Sequence, residues 1–385
     1  MKRALMYASV ASMIQQFNME NICLLLKQGY EVDVACNMEF GSSVSGGAIS
    51  EMKQELENMG VRVFHIPVPR KITDVKHIFR SIQYTRALMD ENQYTLIHCH
   101  SPIGGMICRV AYRLSSNYRN GKMIYTAHGF HFYKGAPMLN WLLYYPVEKI
   151  CSIFTDTLIT INKEDYELAL KRMHTRCVNL VQGVGIDTQK FGGQKVDVEE
   201  FRNTVGIPED AFLLTSVGEL NENKNHSVVI RALAQLDNPN IHYAIVGKGV
   251  LEQSLRELSE KLGVGKQIHL LGYRSDVAQI YAVSDACVFP SIREGLGLAA
   301  LEGMASGLPL ICSDNRGTRC YAIDGDNALV CDPDDVQAFA TAIKRLVSVD
   351  EKDRKEMGSS ACQTAKAFDV NIISLAMERI YRDGY

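Results

Sequence analysis

Short apolar runs of β type alternate with helical stretches along almost the whole chain. In the first half these runs are residues 4–8, 31–36, 61–66, 94–99 and 122–126, and segments with helical periodicity separate several of them. Strands that alternate with helices are joined by crossovers, so the alternation predicts a parallel, doubly wound α/β sheet. Ligands of such sheets bind beyond the carboxyl ends of the strands. The loops that follow these strands are therefore the first places to look for functional residues.

The length and charge of the chain narrow the possibilities further. At 385 residues the chain exceeds what one typical core organises, and we expect two domains. The formal net charge is −3, so nucleic acid is not an expected partner. Residues 1–185 carry 20 Lys and Arg against 15 Asp and Glu, and residues 186–385 carry 21 against 29. This asymmetry suggests that the first half faces something anionic, although chance would also produce so modest an excess.

The cysteines and the apolar segments indicate a cytoplasmic protein. The eleven cysteines are odd in number and form no CxxC pair, which favours free thiols in a reducing compartment over disulfides or a zinc site. No segment approaches the roughly 18 apolar residues of a membrane span. The first residues resemble a short signal peptide, but no small-residue cleavage pattern follows. We interpret them as the first strand.

The most informative loop lies between the apolar runs 286–290 and 308–312. Glu294, Gly295 and Gly297 precede a helical segment, and Glu302 would lie on its second turn. The first-turn N–H groups of a helix favour an anion, and the two glycines let the backbone approach a phosphate. Carboxylates accept hydrogen bonds from hydroxyl groups. The combination suggests a nucleotide-sugar site; the alternative is an ordinary βαβ unit with a solvated Glu302.

The pattern Glu294-x7-Glu302, followed by Ala-Ser-Gly-Leu-Pro at 305–309, resembles the E-x7-E signature of the retaining glycosyltransferases of family 4. That resemblance implies the GT-B fold, in which two doubly wound Rossmann-like domains face each other across a cleft. It also implies an acceptor-binding domain at 1–185, a nucleotide-sugar-binding domain at 186–365 and a C-terminal helix at 366–385 that returns to the first domain. Residues 122–170 look particularly like bacterial capsular and exopolysaccharide transferases.

The resemblance also assigns donor-binding residues in the second domain. Glu294 would hold hydroxyls of the donor sugar, Glu302 would hold the ribose, and Lys224 would neutralise the diphosphate. Glu219 stands where an arginine is common in the family, and Arg274 or Arg293 could replace that missing cation. The full donor-binding set implied is Gly218, Glu219, Lys224, Tyr273, Arg274, Glu294, Gly295, Leu296, Gly297, Leu298 and Glu302, with Tyr273 and Arg274 beside the base.

In the first domain the resemblance singles out His128, which matches a histidine that reaches the donor sugar. The catalytic residues implied are thus His128, Lys224 and Glu294, and the acceptor-side residues are Ser12, His100, His131 and Lys134. His98 and His100 end one strand but lack a third metal ligand, so His100 is either a ligand contact or structural. The family usually has glycines in the loop after the first strand, where this chain has Ser9 and Ser12.

Two segments of the first half suggest contact with a membrane. Residues 70–86 combine Lys and Arg with Ile, Val and Phe in a basic amphipathic pattern, which fits an anionic membrane surface or an ordinary solvated face. Residues 141–149 form an aromatic helix that is either core or membrane-proximal. We therefore expect a cytoplasmic protein that can lie peripherally on the inner face of a membrane.

These features predict an enzyme that moves a hexose or N-acetylhexosamine from a nucleotide diphosphate sugar, for which we favour UDP, to a glycan acceptor. The resemblance implies retention of configuration and an acceptor linked to a lipid such as a polyprenyl diphosphate, in capsule or exopolysaccharide synthesis. We find no DxD motif of the kind that holds a catalytic metal, so we expect neither a metal nor another cofactor. The alternative is a nucleotide-sugar epimerase or hydrolase of the same fold that acts without a glycan acceptor.

Overall fold

The computed structural model describes residues 2–39 and 46–383, and the chain divides into two compact units. The first unit comprises Met1–Val184 with Ile373–Tyr385, and the second comprises Gly185–Ile372. The sequence placed the end of the second domain at residue 365, whereas the second unit continues to Ile372. The extra residues belong there because Ile186 forms a parallel bridge with Asp369.

The first unit is built on a parallel sheet with the strand order β3-β2-β1-β4-β5-β6-β7. The strands are β1 (Lys2–Val10), β2 (Tyr30–Asn37), β3 (Arg62–His65), β4 (Leu96–His100), β5 (Lys122–Ala127), β6 (Thr157–Thr160) and β7 (Cys177–Leu180). The helices are α1 (Ala11–Phe17), α2 (Met19–Lys27), α3 (Gly46–Asn58), α4 (Val75–Asn92), α5 (Pro102–Leu114), α6 (Met138–Ser152) and α7 (Lys163–Arg172). The strand order reverses between β1 and β4, which is where ligands of doubly wound sheets bind.

The sheet of the first unit is covered on both faces. Residues of β1 alternate between two hydrophobic clusters, with Ala4 and Met6 in one and Leu5 and Tyr7 in the other. Because parallel strands covered on both faces must be apolar on both sides, they read as continuous hydrophobic runs. Helices α4, α5 and α6 border the cluster that contains Leu5 and Tyr7.

One predicted loop of the first unit is replaced by regular structure. Residues 9–16 were expected to form a loop after the first strand, but β1 runs to Val10 and α1 begins at Ala11. The parallel pairing of β1 with β2 shifts register between Tyr7 and Val10 and so continues past the apolar run. Ser12 consequently lies in the first turn of a helix and is buried.

The second unit has its own parallel sheet, with the strand order β10-β9-β8-β11-β12-β13. The strands are β8 (Phe212–Val217), β9 (Ile241–Val246), β10 (Ile268–Gly272), β11 (Ala286–Phe289), β12 (Leu310–Ser313) and β13 (Ala328–Cys331). The helices are α8 (Thr188–Gly192), α9 (Val198–Thr204), α10 (His226–Leu236), α11 (Glu252–Lys261), α12 (Val277–Ala282), α13 (Leu298–Ala305), α14 (Val336–Ser348) and α15 (Glu351–Ala365). Its strand order reverses between β8 and β11.

The last helix, α16 (Val370–Asp383), begins in the second unit and lies mostly in the first. Its buried residues Ile373, Met377, Ile380 and Tyr381 join the cluster that contains Ala4 and Met6. The two parallel sheets confirm the doubly wound α/β class predicted from the sequence. Within residues 2–39 and 46–383, no helix is long and apolar enough to cross a membrane.

Candidate active site

The second unit brings Lys224 and Glu294 together at the point where its strand order reverses. Lys224 lies in a short 3-10 turn after β8, and Glu294 lies in the loop between β11 and α13. The Lys224 Nζ atom is 2.6 Å from Glu294 Oε1, and the two side chains are 21% and 16% exposed. Two residues that are distant in sequence thus form one partly buried ion pair. Such a pair presents both a cation for a phosphate and an acceptor for a hydroxyl group.

Glycines shape the backbone around this pair. Gly297 has φ of 92°, a left-handed conformation that favours glycine, and it begins α13. A Cβ atom at Gly297 would lie 2.7 Å from the ring of Phe289, which ends β11. Gly218 is similarly close to Lys224, since a Cβ there would lie 3.2 Å from the lysine side chain. Gly297 makes no side-chain capping hydrogen bond to α13, and the first-turn N–H groups of a helix are a position where an anion is stabilised.

Glu302 lies on the second turn of α13, as the sequence predicted. Its carboxylate has no hydrogen-bond or ion-pair partner in the described part of the chain. Burial raises its pKa to about 7, and the nearby charge of Lys190 on α8 acts in the opposite direction. A carboxyl group held in this way is available to accept hydrogen bonds from a ligand hydroxyl.

The other predicted donor-binding residues differ in their exposure and in their contacts within the protein. Glu219 is exposed, and Tyr273 is 73% exposed beyond the carboxyl end of β10. The Arg274 guanidinium already donates to Asp276, with 2.8 Å between Nε and Oδ1, so the arginine is held within its own turn. Arg293 is exposed in the loop beside Glu294.

A buried arginine that sequence reasoning did not assign lies behind Glu294. Arg316 follows β12, and its Nε donates to the backbone oxygen of Glu294 at 3.4 Å. A Cβ at the next residue, Gly317, would lie 2.9 Å from the Glu294 Cβ, so this turn packs directly on the loop. The sequence analysis assigned no role to residues 314–317. The sequence signal that could have identified Arg316 is the Arg-Gly pair that follows β12, the strand next to β11.

The first unit contains a chain of three histidines at the carboxyl ends of β4 and β5. His100 Nδ1 lies 3.1 Å from His128 Nε2, and His100 Nε2 lies 3.3 Å from the sulfur of Met6. The rings of His98 and His100 are 4.1 Å apart. His98 is itself bonded to the Tyr381 hydroxyl at 2.8 Å. His98 and His100 are buried, and His128 is half-buried at the end of the chain.

These contacts favour one position for the proton of His128. Burial lowers the pKa of His128 to about 4 and also lowers the pKa of His100, so both rings are neutral near pH 7. The Met6 sulfur has no hydrogen to donate, so the tautomers that make both contacts hydrogen bonds have His100 Nε2 donating to Met6 and His100 Nδ1 accepting from His128 Nε2. In these tautomers His128 Nδ1 is an acceptor, able to receive a hydrogen bond from a hydroxyl group.

The predicted acceptor-side residues are placed differently from one another. His100 is buried behind His128, and Ser12 is buried on α1, so neither presents its side chain freely at the surface. The ring of His131 stacks on Tyr144 of α6 with 4.5 Å between centroids. Lys134 is exposed in the loop before α6.

The loop that carries His128 is held by a buried carboxylate that the sequence analysis missed. Asp165 of α7 accepts a hydrogen bond from the Phe130 N–H at 3.0 Å. Ser9, near the end of β1, contacts the start of α5, where its Oγ accepts a hydrogen bond from the Gly104 N–H at 3.0 Å.

In the described ranges, no group of three or more His, Cys, Asp or Glu side chains is arranged to hold a metal ion.

The chain is similar to known glycosyltransferases over most of its length. Residues 197–364 match the family described as glycosyl transferases group 1, and residues 9–162 match the family described as glycosyl transferase 4-like. The chain is 40% identical over 312 residues to the putative glycosyltransferase EpsD of Bacillus subtilis, covering 79% of this chain and 80% of that protein. It is 27% identical over 342 residues to the UDP-Gal:alpha-D-GlcNAc-diphosphoundecaprenol alpha-1,3-galactosyltransferase of Escherichia coli, covering 86% and 84%.

Among solved structures, Anabaena Alr3699/HepE in complex with UDP superposes with a TM-score of 0.76 at 18% identity and covers all of both chains. That likeness shows the fold, and it confirms the GT-B class inferred from the signature around Glu294. The family matches and the relative at 40% identity show the family itself. The chain belongs to the group 1 glycosyltransferases of family 4.

Proposed function

We propose that this enzyme transfers a hexose or N-acetylhexosamine from a UDP-sugar to a lipid-linked glycan acceptor, with retention of configuration. The observation that carries the proposal is the Lys224–Glu294 pair beside the uncapped start of α13, with the unpaired Glu302 on the same helix. This arrangement combines groups that bind a diphosphate with groups that bind hydroxyls. The HepE structure contains UDP, and the E. coli relative is named for a UDP-Gal donor and a diphosphoundecaprenol acceptor.

In this proposal the second unit holds the donor and stabilises the leaving diphosphate. Lys224 has three N–H donors, of which Glu294 engages one, so others can reach a phosphate oxygen. The first-turn amides of α13 face the same charge and add to its stabilisation as the glycosidic bond breaks. Glu294 accepts a hydrogen bond from a hydroxyl of the transferred sugar, and Glu302 accepts from the ribose.

His128 is assigned to a hydroxyl of a sugar substrate through its Nδ1 acceptor. We assign no protein nucleophile. The proposal instead has the acceptor hydroxyl attack the face from which the diphosphate leaves, with a phosphate oxygen accepting its proton. Such a reaction retains the configuration at the anomeric carbon. In this proposal Lys224 and the first-turn amides of α13 stabilise the charge of the diphosphate, and no metal ion takes part.

Ligand binding separates the two donor-site assignments. Lys224→Met removes a charge-assisted hydrogen bond to phosphate, so it should weaken UDP binding by about tenfold to a hundredfold and leave uridine binding unchanged. Glu302→Gln should weaken both ligands, because both contain the ribose. Lys261→Met on α11 is a matched control, since that lysine is exposed in the same unit. Equal loss of UDP and uridine in Lys224→Met would contradict the assignment of the lysine to the diphosphate.

Product analysis tests the reaction. UDP release from UDP-glucose, UDP-galactose and their N-acetylhexosamine counterparts is measured with and without a polyprenyl-diphosphate-linked sugar acceptor. Acceptor-dependent release, with an α-linked product by proton NMR, is expected. Release of free sugar or conversion of the UDP-sugar without acceptor would instead identify an epimerase or hydrolase.

A further inference from the structure

Helix α6 presents an apolar face to solvent along its whole length. Leu139 and Leu142 are 62% and 67% exposed. The exposed apolar residues of α6 and its C-cap are Met138, Leu139, Leu142, Leu143, Pro146, Ile150 and Ile153. At about 100° per residue, these positions fall on one side of the helix. These seven residues form the α6 apolar face. Surface helices of soluble domains normally place polar residues there.

The opposite side of α6 is fixed to the first unit, so the exposure is not a consequence of a loosely packed helix. Trp141 and Tyr145 pack their rings against Phe132, at 5.6 Å and 5.4 Å between centroids. Glu148 is buried and accepts from Arg109 of α5 at 2.7 Å. A buried ion pair requires close geometry to offset desolvation, so it holds the rotation of α6 about its axis.

Three basic residues lie close to helix α6. Glu148 is the acidic residue of α6, and its charge is buried and neutralised by Arg109. Lys134 precedes the helix and is exposed, and Lys149 and Arg172 flank the ring of Tyr145 at 5.8 Å and 5.9 Å. An apolar strip bordered by cations is complementary to a surface that is hydrophobic inside and anionic outside.

Helix α4 adds a second apolar and basic surface on the same side of the sheet. Both α4 and α6 pack on α5 and border the same hydrophobic cluster. On α4, Val75 and Phe79 are 70% and 61% exposed, while Ile78 and Ile82 pack on the cluster. The exposed basic residues beside Val75 and Phe79 are Lys71, Lys76 and Arg80.

We propose that the α6 apolar face inserts into the interfacial region of a bilayer that contains anionic phospholipids, with the basic residues of α4 and α6 on the headgroups. The proposal adds a docking surface to the proposed function, since a lipid-linked acceptor resides in such a bilayer. The loop bearing His128 is packed on α6 through the His131–Tyr144 stack. Docking of α6 would therefore hold His128 close to the headgroup region, where the diphosphate of a lipid-linked acceptor lies.

A protein partner or a second copy of the chain is a weaker candidate for this surface. Each would need its own complementary acidic and apolar surface, whereas an anionic bilayer supplies both properties together. Beside the exposed apolar residues of α4, Lys71, Lys76 and Arg80 outnumber Asp74, which pairs with His77, and this basic excess favours headgroups over a neutral apolar groove. These other occupants are outcomes that the following test distinguishes.

Vesicle flotation of the full chain tests the proposal. Equimolar phosphatidylglycerol and phosphatidylethanolamine vesicles are compared with pure phosphatidylcholine vesicles. The double variant Leu139→Ser/Leu142→Ser should lower partitioning to the anionic vesicles by about tenfold or more, because each leucine loses its apolar burial. Leu375→Ser is the matched control, since Leu375 is 56% exposed on α16, which packs on the other hydrophobic cluster of the first unit. Circular dichroism and thermal unfolding check that each variant folds.

The charge contribution is measured separately. Lys134→Gln/Lys149→Gln should reduce binding to anionic vesicles by about fivefold per cation, and raised salt should reduce wild-type binding. Binding that is equal for the wild type and the leucine variant would overturn the proposal. Self-association of the wild type that the leucine variant abolishes, without vesicle binding, would assign the face to a dimer instead. The assay uses no donor or acceptor, so its result does not depend on whether the proposed transfer is correct.

Discussion

Replacing Glu302 by glutamine should stabilise the protein while weakening nucleotide binding, and the stabilisation should depend on pH. The Glu302 carboxylate is unpaired among the residues that the structure describes, and burial raises its pKa from 4.5 to about 7. The folded protein thus holds a carboxyl group whose ionisation the fold opposes. Glutamine keeps nearly the same shape and does not ionise.

The sign and size of the effect follow from the shift. Because the folded pKa is raised, the folded state binds more protons than the unfolded state between pH 4.5 and about 7. The contribution of Glu302 to the unfolding free energy is therefore complete below pH 4.5 and is lost as the pH rises through 7. At about 1.36 kcal/mol per unit, a shift of this size lowers the unfolding free energy by about 3 kcal/mol above pH 7. The advantage of Glu302→Gln should grow by that amount across the same interval.

Calorimetry near pH 5 and near pH 8 measures this advantage. At roughly 2–4 °C per kcal/mol for a unit of this size, the transition of the second unit should rise by roughly 6–12 °C at the higher pH in the variant. Glu209→Gln provides the control, since Glu209 is an exposed carboxylate of the same unit. A difference between Glu302→Gln and wild type that is the same at both pH values would refute the reasoning. Nucleotide affinity should fall by about tenfold, as expected when a charged acceptor is replaced by a neutral one.

Two further substitutions test the backbone and the histidine chain. Gly297→Ala should destabilise the second unit by more than the control Gly325→Ala and should weaken UDP binding. Both glycines have positive φ, but only at Gly297 would a Cβ meet a neighbouring atom. Chemical denaturation should therefore show a loss of only about 1–2 kcal/mol of unfolding free energy for Gly325→Ala. Met6→Leu should let His128 populate both tautomers, and nitrogen-15 NMR of the rings should show this; a wild-type His128 protonated on Nδ1 would contradict the assignment drawn from the Met6 contact.

The fold was largely predictable because the alternation of strands and helices is a local property of the sequence. The pairing of Lys224 with Glu294 was also within reach, since both follow strands on either side of a strand-order reversal. Arg316 and Met6 were missed for a common reason. Each acts through a contact with a residue far along the chain, and neither sits in a local pattern that marks it.

The α6 segment shows a different limit of sequence reasoning. Its aromatic residues and its leucines are both apolar, so helical periodicity cannot decide which side faces the core. The structure decides it through Glu148, whose charge must be neutralised when buried and finds Arg109 on α5. Glu148, together with the packing of Trp141 and Tyr145 on Phe132, therefore fixes the rotation of the helix. The leucines lie on the other side of the helix and are exposed.

Glu302 and the α6 apolar face depart from the choices that stability alone would favour. The fold disfavours the ionised form of the partly buried Glu302 carboxyl, which has no partner in the described part of the chain, and large aliphatic side chains in water forgo the gain of burial. A neutral residue in place of Glu302 would remove the first departure, and polar residues in place of those of the α6 apolar face would remove the second. Proteins depart from such stabilising choices chiefly at functional sites, where a bound ligand or surface supplies the missing interaction. The ribose of a nucleotide would supply the missing partner of Glu302, and a bilayer would supply that of α6.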